Sequence, residues 1–313
     1  MVQPVPWGRG VTCPECPCHQ RLRLRRPFSK AKVVSRALVL NASYEPLCVV
    51  SSRRALILVF TEKAGVNTVV IDSTDDLEGL LGNLAFSLSL YSGQMCTAPQ
   101  NLYVARSGVD TDEGHLSFEQ LGRRLADAVE RLTADPARAV EILGATVNDQ
   151  VRGNAASLAD MAREAGGELL LGSREVAHPA YPEAVVRAPG LVSVDVARED
   201  LYARECFGPV AFLVRTDSTR QSLAQLADTA REHGGMTASV YSTRDDVLVA
   251  AREAALDGGV ALSENLTGQV YVNQTAAFSD LHGTGANPAA NAAYTDAAYV
   301  ASRFRVIPAR RHL

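Results

Sequence analysis

The 313-residue chain predicts an α/β fold built on a mostly parallel sheet. Two observations carry that prediction. From residue 61 onward, short apolar runs of strand length alternate with longer segments of helical period, the order expected of strand–helix–strand units. The chain is also 47% hydrophobic and 21% charged, an ordinary globular balance, with no apolar run of ~18 residues to span a bilayer. The six cysteines, Cys13, Cys16, Cys18, Cys48, Cys96 and Cys206, form no disulfide-dense framework. With no secretory-type apolar stretch at the N-terminus, a reducing cytoplasm is the expected compartment.

Taken in order, residues 1–32 read as a disordered tail. Pro4, Pro6, Pro14, Pro17 and Pro27 interrupt any helix, and Arg21, Arg23, Arg25 and Arg26 form a solvated basic run. Residues 37–40 read as a strand, 43–46 as a turn and 53–60 as a short helix or strand. The β-branched run 66–71 reads as a buried strand, and Asp72-Ser73-Thr74-Asp75 caps a helix over 76–90. Strands are expected at 102–105, 168–171, 209–214, 238–241 and 269–272. Helices are expected at 116–133, 148–165, 218–233 and 244–256.

Charge divides the chain. Residues 1–60 hold ten Lys and Arg against Glu15 and Glu45, whereas the remainder holds 21 basic and 33 acidic residues. That asymmetry points to parts with different histories or partners.

Cys96 lies in Ser92-Gly93-Gln94-Met95-Cys96-Thr97-Ala98, among residues small enough to admit a substrate, and Glu62 precedes it by 34 residues. Taken alone, Cys96 is either a nucleophile with a distant carboxylate base or a small core residue. Cys13 and Cys16 make half a zinc site, but Cys18 and His19 are adjacent and badly placed for a tetrahedron, and no second pair follows. No metal is therefore expected. The basic run offers charge for nucleic-acid phosphates without a folded reader, so nucleic acid is not the expected partner.

Several motifs together resemble the aldehyde dehydrogenase superfamily: the Gly-Gln-X-Cys turn ending at Cys96, Glu62 at the family's spacing, and Glu205-Cys206-Phe207-Gly208-Pro209. Gly235-Met236-Thr237-Ala238-Ser239 and Val272-Asn273 add to it. The resemblance implies the superfamily's α/β catalytic domain over residues 61–313. It implies Cys96 as nucleophile and Glu62 as the base for hydrolysis, although Lys63 and Ala64 depart from the usual Glu-Leu-Gly-Gly. It further implies Glu205 and Phe207 as contacts for the nicotinamide of NAD or NADP, and Asn273 and Phe278 on the substrate side. His282 is more simply a loop histidine. Within the superfamily, Ser263-Glu264-Asn265-Leu266-Thr267-Gly268, Asn273-Gln274-Thr275-Ala276-Ala277-Phe278 and His282-Gly283-Thr284-Gly285 are similar to the phenylacetic acid degradation branch (PaaN). That branch implies a semialdehyde substrate from aromatic ring cleavage, in the form of a coenzyme A conjugate in one version of the reading.

Nothing in residues 1–60 matches the family's cofactor domain, so the Rossmann-like part is expected to be largely missing and the activity impaired. Without a cofactor domain, the surface that normally meets it is expected to be exposed, apolar and prone to association, which makes a homo-oligomer one expected state. Residues 36–60, with Asn41-Ala42-Ser43-Tyr44-Glu45-Pro46, instead resemble the leader of a bacterial HNH endonuclease family, which predicts a fusion near residues 58–62. The expected division is 1–32, 33–60 and 61–313. The rival readings are a non-catalytic remnant and a nucleic-acid-binding protein led by the basic segment.

Overall fold

The computed structural model describes residues 36–40, 46–51, 65–268, 271, 307 and 309–311, the first two stretches by their backbone. The chain separates into two compact units, Met1–Leu56 and Ile57–Leu313. In the first, β1 (Arg36–Leu40) and β2 (Pro46–Ser51) form an antiparallel pair, with Ala37 opposite Val50 and Val39 opposite Cys48. The strand expected at 37–40 is β1. The expected tail 1–32, the turn at 43–45, the stretch 53–60 and most of the strand 269–272 lie outside the described residues.

The second unit runs β3 (Asn67–Ile71), α1 (Leu77–Ser89), β4 (Pro99–Ala105), β5 (Val109–Thr111), β6 (Gly114–Leu116) and α2 (Phe118–Thr133). Then come α3 (Pro136–Ala139), α4 (Asp149–Ala156), α5 (Leu158–Ala165), β7 (Glu168–Leu171), β8 (Glu175–Val176), β9 (Val186–Arg187) and β10 (Gly190–Asp195). It continues with α6 (Glu199–Tyr202), β11 (Val210–Thr216), α7 (Thr219–His233), β12 (Thr237–Tyr241), α8 (Asp245–Gly258), β13 (Ala261–Glu264) and β14 (Ala309–Arg311). Eight strands form one sheet in the order β14-β13-β12-β3-β4-β11-β10-β7. Every neighbouring pair is parallel except β10 with the edge strand β7.

Burial on both faces explains the strand sequences. All five residues of β3 and all seven of β4 are buried, so their apolar parts, 69–71 and 102–105, read as unbroken runs rather than alternating ones, while buried Asn67, Thr68, Gln100 and Asn101 stand at the strand starts. Alternation survives in what each side chain meets. Val70, Tyr103, Val192, Phe212 and Val240 pack with α5, α7 and α8 on one face. Val69, Ile71, Leu102, Val104, Leu191 and Leu213 pack with α1 and α2 on the other. Each large side chain so buried contributes roughly 1.5–3 kcal/mol.

Helix starts follow capping chemistry. Asp76 accepts the Gly79 N–H and so is the cap of α1 rather than its first residue, one position later than the predicted start. Ser117 and Gln120 close a capping box on α2, and Ser218 caps α7 through the Gln221 N–H. The helix expected over 148–165 is two helices. Gly153 and Asn154 are poor helix formers, and Ser157 ends α4 with its Oγ on the Asn154 carbonyl oxygen at 3.0 Å. Three sheet members, β10, β13 and β14, have no counterpart among the expected strands. The first follows a Pro-rich stretch that reads as loop. The second ends in Glu264, a charge that argues against a buried strand until Arg252 of α8 is seen to pair with it in two hydrogen bonds of 2.6 Å.

Candidate active site

Because β3, β4, β11 and β12 are parallel, the segments leading into them converge on one edge of the sheet. Those segments are residues 65–66, 93–98, 205–209 and 234–236. All four carry residues of motifs singled out from the sequence, and here hydrogen bonds join them across as many as 170 residues. The Gly65 N–H donates to Glu205 Oε1 at 3.0 Å, tying the segment after Glu62 to the Glu-Cys-Phe-Gly-Pro turn. A β-carbon on Gly65 would sit 3.4 Å from the Cys96 carbonyl oxygen, so the Cys96 turn passes directly over this point.

Asn67 fastens the arrangement and was not picked out from the sequence. Its side chain is buried at the start of β3. The amide nitrogen donates to the carbonyl oxygens of Cys96 (2.8 Å) and Ala98 (3.0 Å). Its Oδ1 accepts the N–H groups of Met236 (2.9 Å) and Thr237 (3.1 Å). One side chain thus satisfies four backbone groups of two loops, as buried polar groups require. The signal available in the sequence was a lone Asn opening an otherwise apolar strand. Gln100 acts similarly on the other side. Its Nε2 donates to the Tyr202 and Arg204 carbonyls and its Oε1 accepts the Cys206 N–H at 2.7 Å.

The turn leading to Cys96 has an unusual backbone. Tyr91, Ser92 and Gly93 are all left-handed, with φ of 52°, 56° and 65°. For the two non-glycine residues this costs of order ~1–2 kcal/mol each. Gly93 is obligatory, since a β-carbon there would lie 2.3 Å from the Gly208 carbonyl oxygen. The turn is held from outside the sheet by residues 142–147 and Arg187. The Tyr91 N–H donates to the Ile142 carbonyl oxygen at 2.7 Å. Gln94 donates to the Tyr91 and Ala145 carbonyls, both at 2.9 Å, and accepts the Val147 N–H at 2.8 Å. This fixed turn leaves Cys96 half-buried.

Glu205, Cys206, Phe207 and Gly208 line one crevice together with Gly65 and Gly93. Cys206 is buried, and burial pushes its thiol pKa up from the ordinary value. Glu62, Asn273, Phe278 and His282 lie outside the described residues, as do Cys13, Cys16, Cys18 and His19. Among the described residues, Glu199, Glu232 and His233 place ligand atoms within 4.8 Å of one another on the surface, a grouping that 32 intervening residues hide in the sequence.

The lead-in edge of the sheet, with its strained cysteine turn and its Glu-X-Phe-Gly-Pro turn, defines the class. Residues 48–286 match the aldehyde dehydrogenase family, and the chain belongs to it. A solved NAD-dependent aldehyde dehydrogenase from Burkholderia multivorans is 57% identical and superposes with a TM-score of 0.70, over 79% of this chain and 45% of that one. N-succinylglutamate 5-semialdehyde dehydrogenase of Photorhabdus laumondii is 25% identical over 209 residues, 66% of this chain and 39% of that protein. Benzaldehyde dehydrogenase [NAD(+)] of Pseudomonas putida is 27% identical over 221 residues, 70% of this chain and 39% of that protein. The chain therefore spans less than half the length of these relatives. No helix among the described residues is long and apolar enough to cross a membrane.

Proposed function

We propose that this chain is the catalytic half of an aldehyde dehydrogenase that oxidises a semialdehyde to a carboxylic acid through Cys96. The observation that carries the reading is the convergence on one sheet edge. The Gly65–Glu205 hydrogen bond and the Asn67 amide bring the segment after Glu62, the cysteine turn and the Glu-Cys-Phe-Gly-Pro turn together. The Cys96 thiolate adds to the aldehyde carbon, forming a C–S bond and placing negative charge on oxygen. When bound, NAD or NADP supplies the hydride acceptor. The resulting Cys96 thioester is opened by water. Glu62 takes the water proton, the oxygen adds to the acyl carbon, and the Cys96 thiolate leaves. A carboxylate base at this position favours water over coenzyme A as the acyl acceptor.

The residues fit the nicotinamide end of the cofactor. Glu205 and Phe207 share a crevice beside Gly65 and Gly93, and a carboxylate with an aromatic ring suits ribose hydroxyls and a flat ring. They do not supply a site for the rest of the dinucleotide. Among the described residues, β3 is followed by Asp72-Ser73-Thr74, β11 by Asp217-Ser218 and β12 by Ser242-Thr243, none of them a glycine-rich phosphate turn.

For the substrate, the segments from Ser263 to Asn287 support a semialdehyde of aromatic ring cleavage in the phenylacetic acid degradation branch, free or as a coenzyme A conjugate. The semialdehyde and benzaldehyde dehydrogenases among the relatives are consistent with that class. The test is a fluorescence titration of the folded chain with NADH and NADPH, followed by turnover of benzaldehyde and of simple semialdehydes. Saturable binding in the micromolar range with acid formation supports the reading. An intact fold that binds neither nucleotide nor forms a Cys96 adduct with an aldehyde refutes it.

A further inference from the structure

We infer that Ser92 is a positioning residue for Cys96, the peg through which the lobe of residues 136–147 and 173–188 holds the nucleophile turn. The inference rests on the reading of Cys96 as nucleophile and assigns what fixes it in place. Ser92 has no exposed surface. Its Oγ lies 2.7 Å from the Arg187 carbonyl oxygen and 2.9 Å from that of Gly144, and it accepts the Gly144 N–H at 3.2 Å. With one proton to give, the hydroxyl donates to one carbonyl at a time while serving three backbone groups from two segments of the lobe.

Nothing in the packing of the sheet requires this hydroxyl. Its partners stand 52 and 95 residues away in sequence, in a lobe with its own small core of Ala139, Leu143, Val176, Val186 and Ala188. The lobe presses on the turn as well. A β-carbon on Gly144 would meet the Tyr91 backbone at 3.3 Å, so the two chains are already in close contact. Alone, a turn with two non-glycine residues at φ 52° and 56° relaxes toward right-handed backbone. Such a relaxation swings the segment that carries Cys96, four residues on, away from the Gly65 and Glu205 side of the crevice. The Ser92 hydroxyl opposes it, so what the lobe contributes to the chemistry is the position of the thiol.

The experiment compares the full-length chain with Ser92→Ala and Ser92→Gly. p-Nitrophenyl acetate is the probe: the Cys96 thiolate takes the acetyl group as a thioester, and p-nitrophenolate leaves and is read by its absorbance. Iodoacetamide labelling of the buried Cys206, mapped by peptide mass, runs alongside as a control for unfolding. We expect both variants to acylate Cys96 at least about tenfold more slowly, a misplacement effect on the scale seen for ~1 Å displacements, while Cys206 stays as protected as before. Glycine relieves the left-handed backbone but lacks the hydroxyl. Ser92→Gly at the unaltered rate therefore overturns the inference, as does a loss of rate that comes with Cys206 labelling. No acylation of Cys96 in the unaltered chain overturns the nucleophile reading, and this inference with it.

Discussion

Cys96 and Cys206 are the two cysteines whose side chains the structure describes, and their surroundings set them apart. Cys96 is half-buried on a turn of fixed backbone. Cys206 is buried among apolar neighbours, with burial as the first cause of its raised pKa and nearby Arg204 opposing it. At pH 7–8 the Cys206 thiol stays protonated and enclosed, so iodoacetamide is expected to modify Cys96 at least about tenfold faster. Peptide mapping of partially labelled protein reads this directly, and equal rates would remove the distinction. The stability linkage has a definite sign. A thiol whose folded pKa is raised favours the folded state fully below the unfolded thiol's pKa. That contribution is lost as pH climbs from the unfolded value through the raised one. Melting temperature should therefore fall above about pH 8.5, and Cys206→Ala should flatten that fall.

At the scale of elements, side chains that bind loops to strands matter more than the strands' own propensity. Asn67→Ala would strip four backbone groups of their partner at once, two behind the cysteine turn and two at the start of β12. The expected loss is roughly 2–4 kcal/mol, the cost of several unsatisfied buried groups offset by some relaxation. A shift in urea midpoint measures it, and a loss under 1 kcal/mol would mean the loops are held some other way. Arg252 makes the corresponding test on the far side of the sheet. Glu264 of β13 is 1% exposed and bound bidentately by Arg252 of α8. Arg252→Leu leaves that carboxylate buried and unpaired, at an expected cost of about 3 kcal/mol. The double variant with Glu264→Leu should recover most of it.

At the scale of the molecule, the candidate site occupies the amino ends of the parallel strands. Open α/β sheets usually place ligands at the carboxyl ends, where crossover connections diverge. That crevice exists here between β3 and β12, but it is filled. Asp72 accepts the Thr219 hydroxyl at 2.6 Å and the Ser242 hydroxyl at 2.7 Å, and Ser73 meets Thr243 at 2.9 Å. The sheet centre is the most deeply buried part. Amide exchange is therefore expected to be slowest in β3, β4 and β11, and much faster in the edge strand β7, whose Glu168 and Leu169 are exposed. Comparable protection across the sheet would contradict the layered core described above.

Local chemistry made much of this legible beforehand. The β-branched run 66–71 and the positions of the helices that begin near 76, 117 and 218 could be read to within a residue or two, because each depends on its nearest neighbours, although the capping residues themselves came from the structure. The motifs around Cys96 and Glu205 stood out through their resemblance to the aldehyde dehydrogenase superfamily. What escaped depends on distant partners. The strand β13 buries Glu264 against Arg252, β10 lies between β11 and β7, and the 148–165 helix breaks where Ser157 finds a local carbonyl. The sequence by itself determined the α/β class, the order of most elements and the identities of Cys96, Glu205 and Phe207 as residues of interest. Only the tertiary structure decided that Asn67 binds the backbone of the Cys96 turn and Ser92 that of Gly144 and Arg187, because a hydrogen bond across 52 or 169 residues leaves no periodicity or spacing to read.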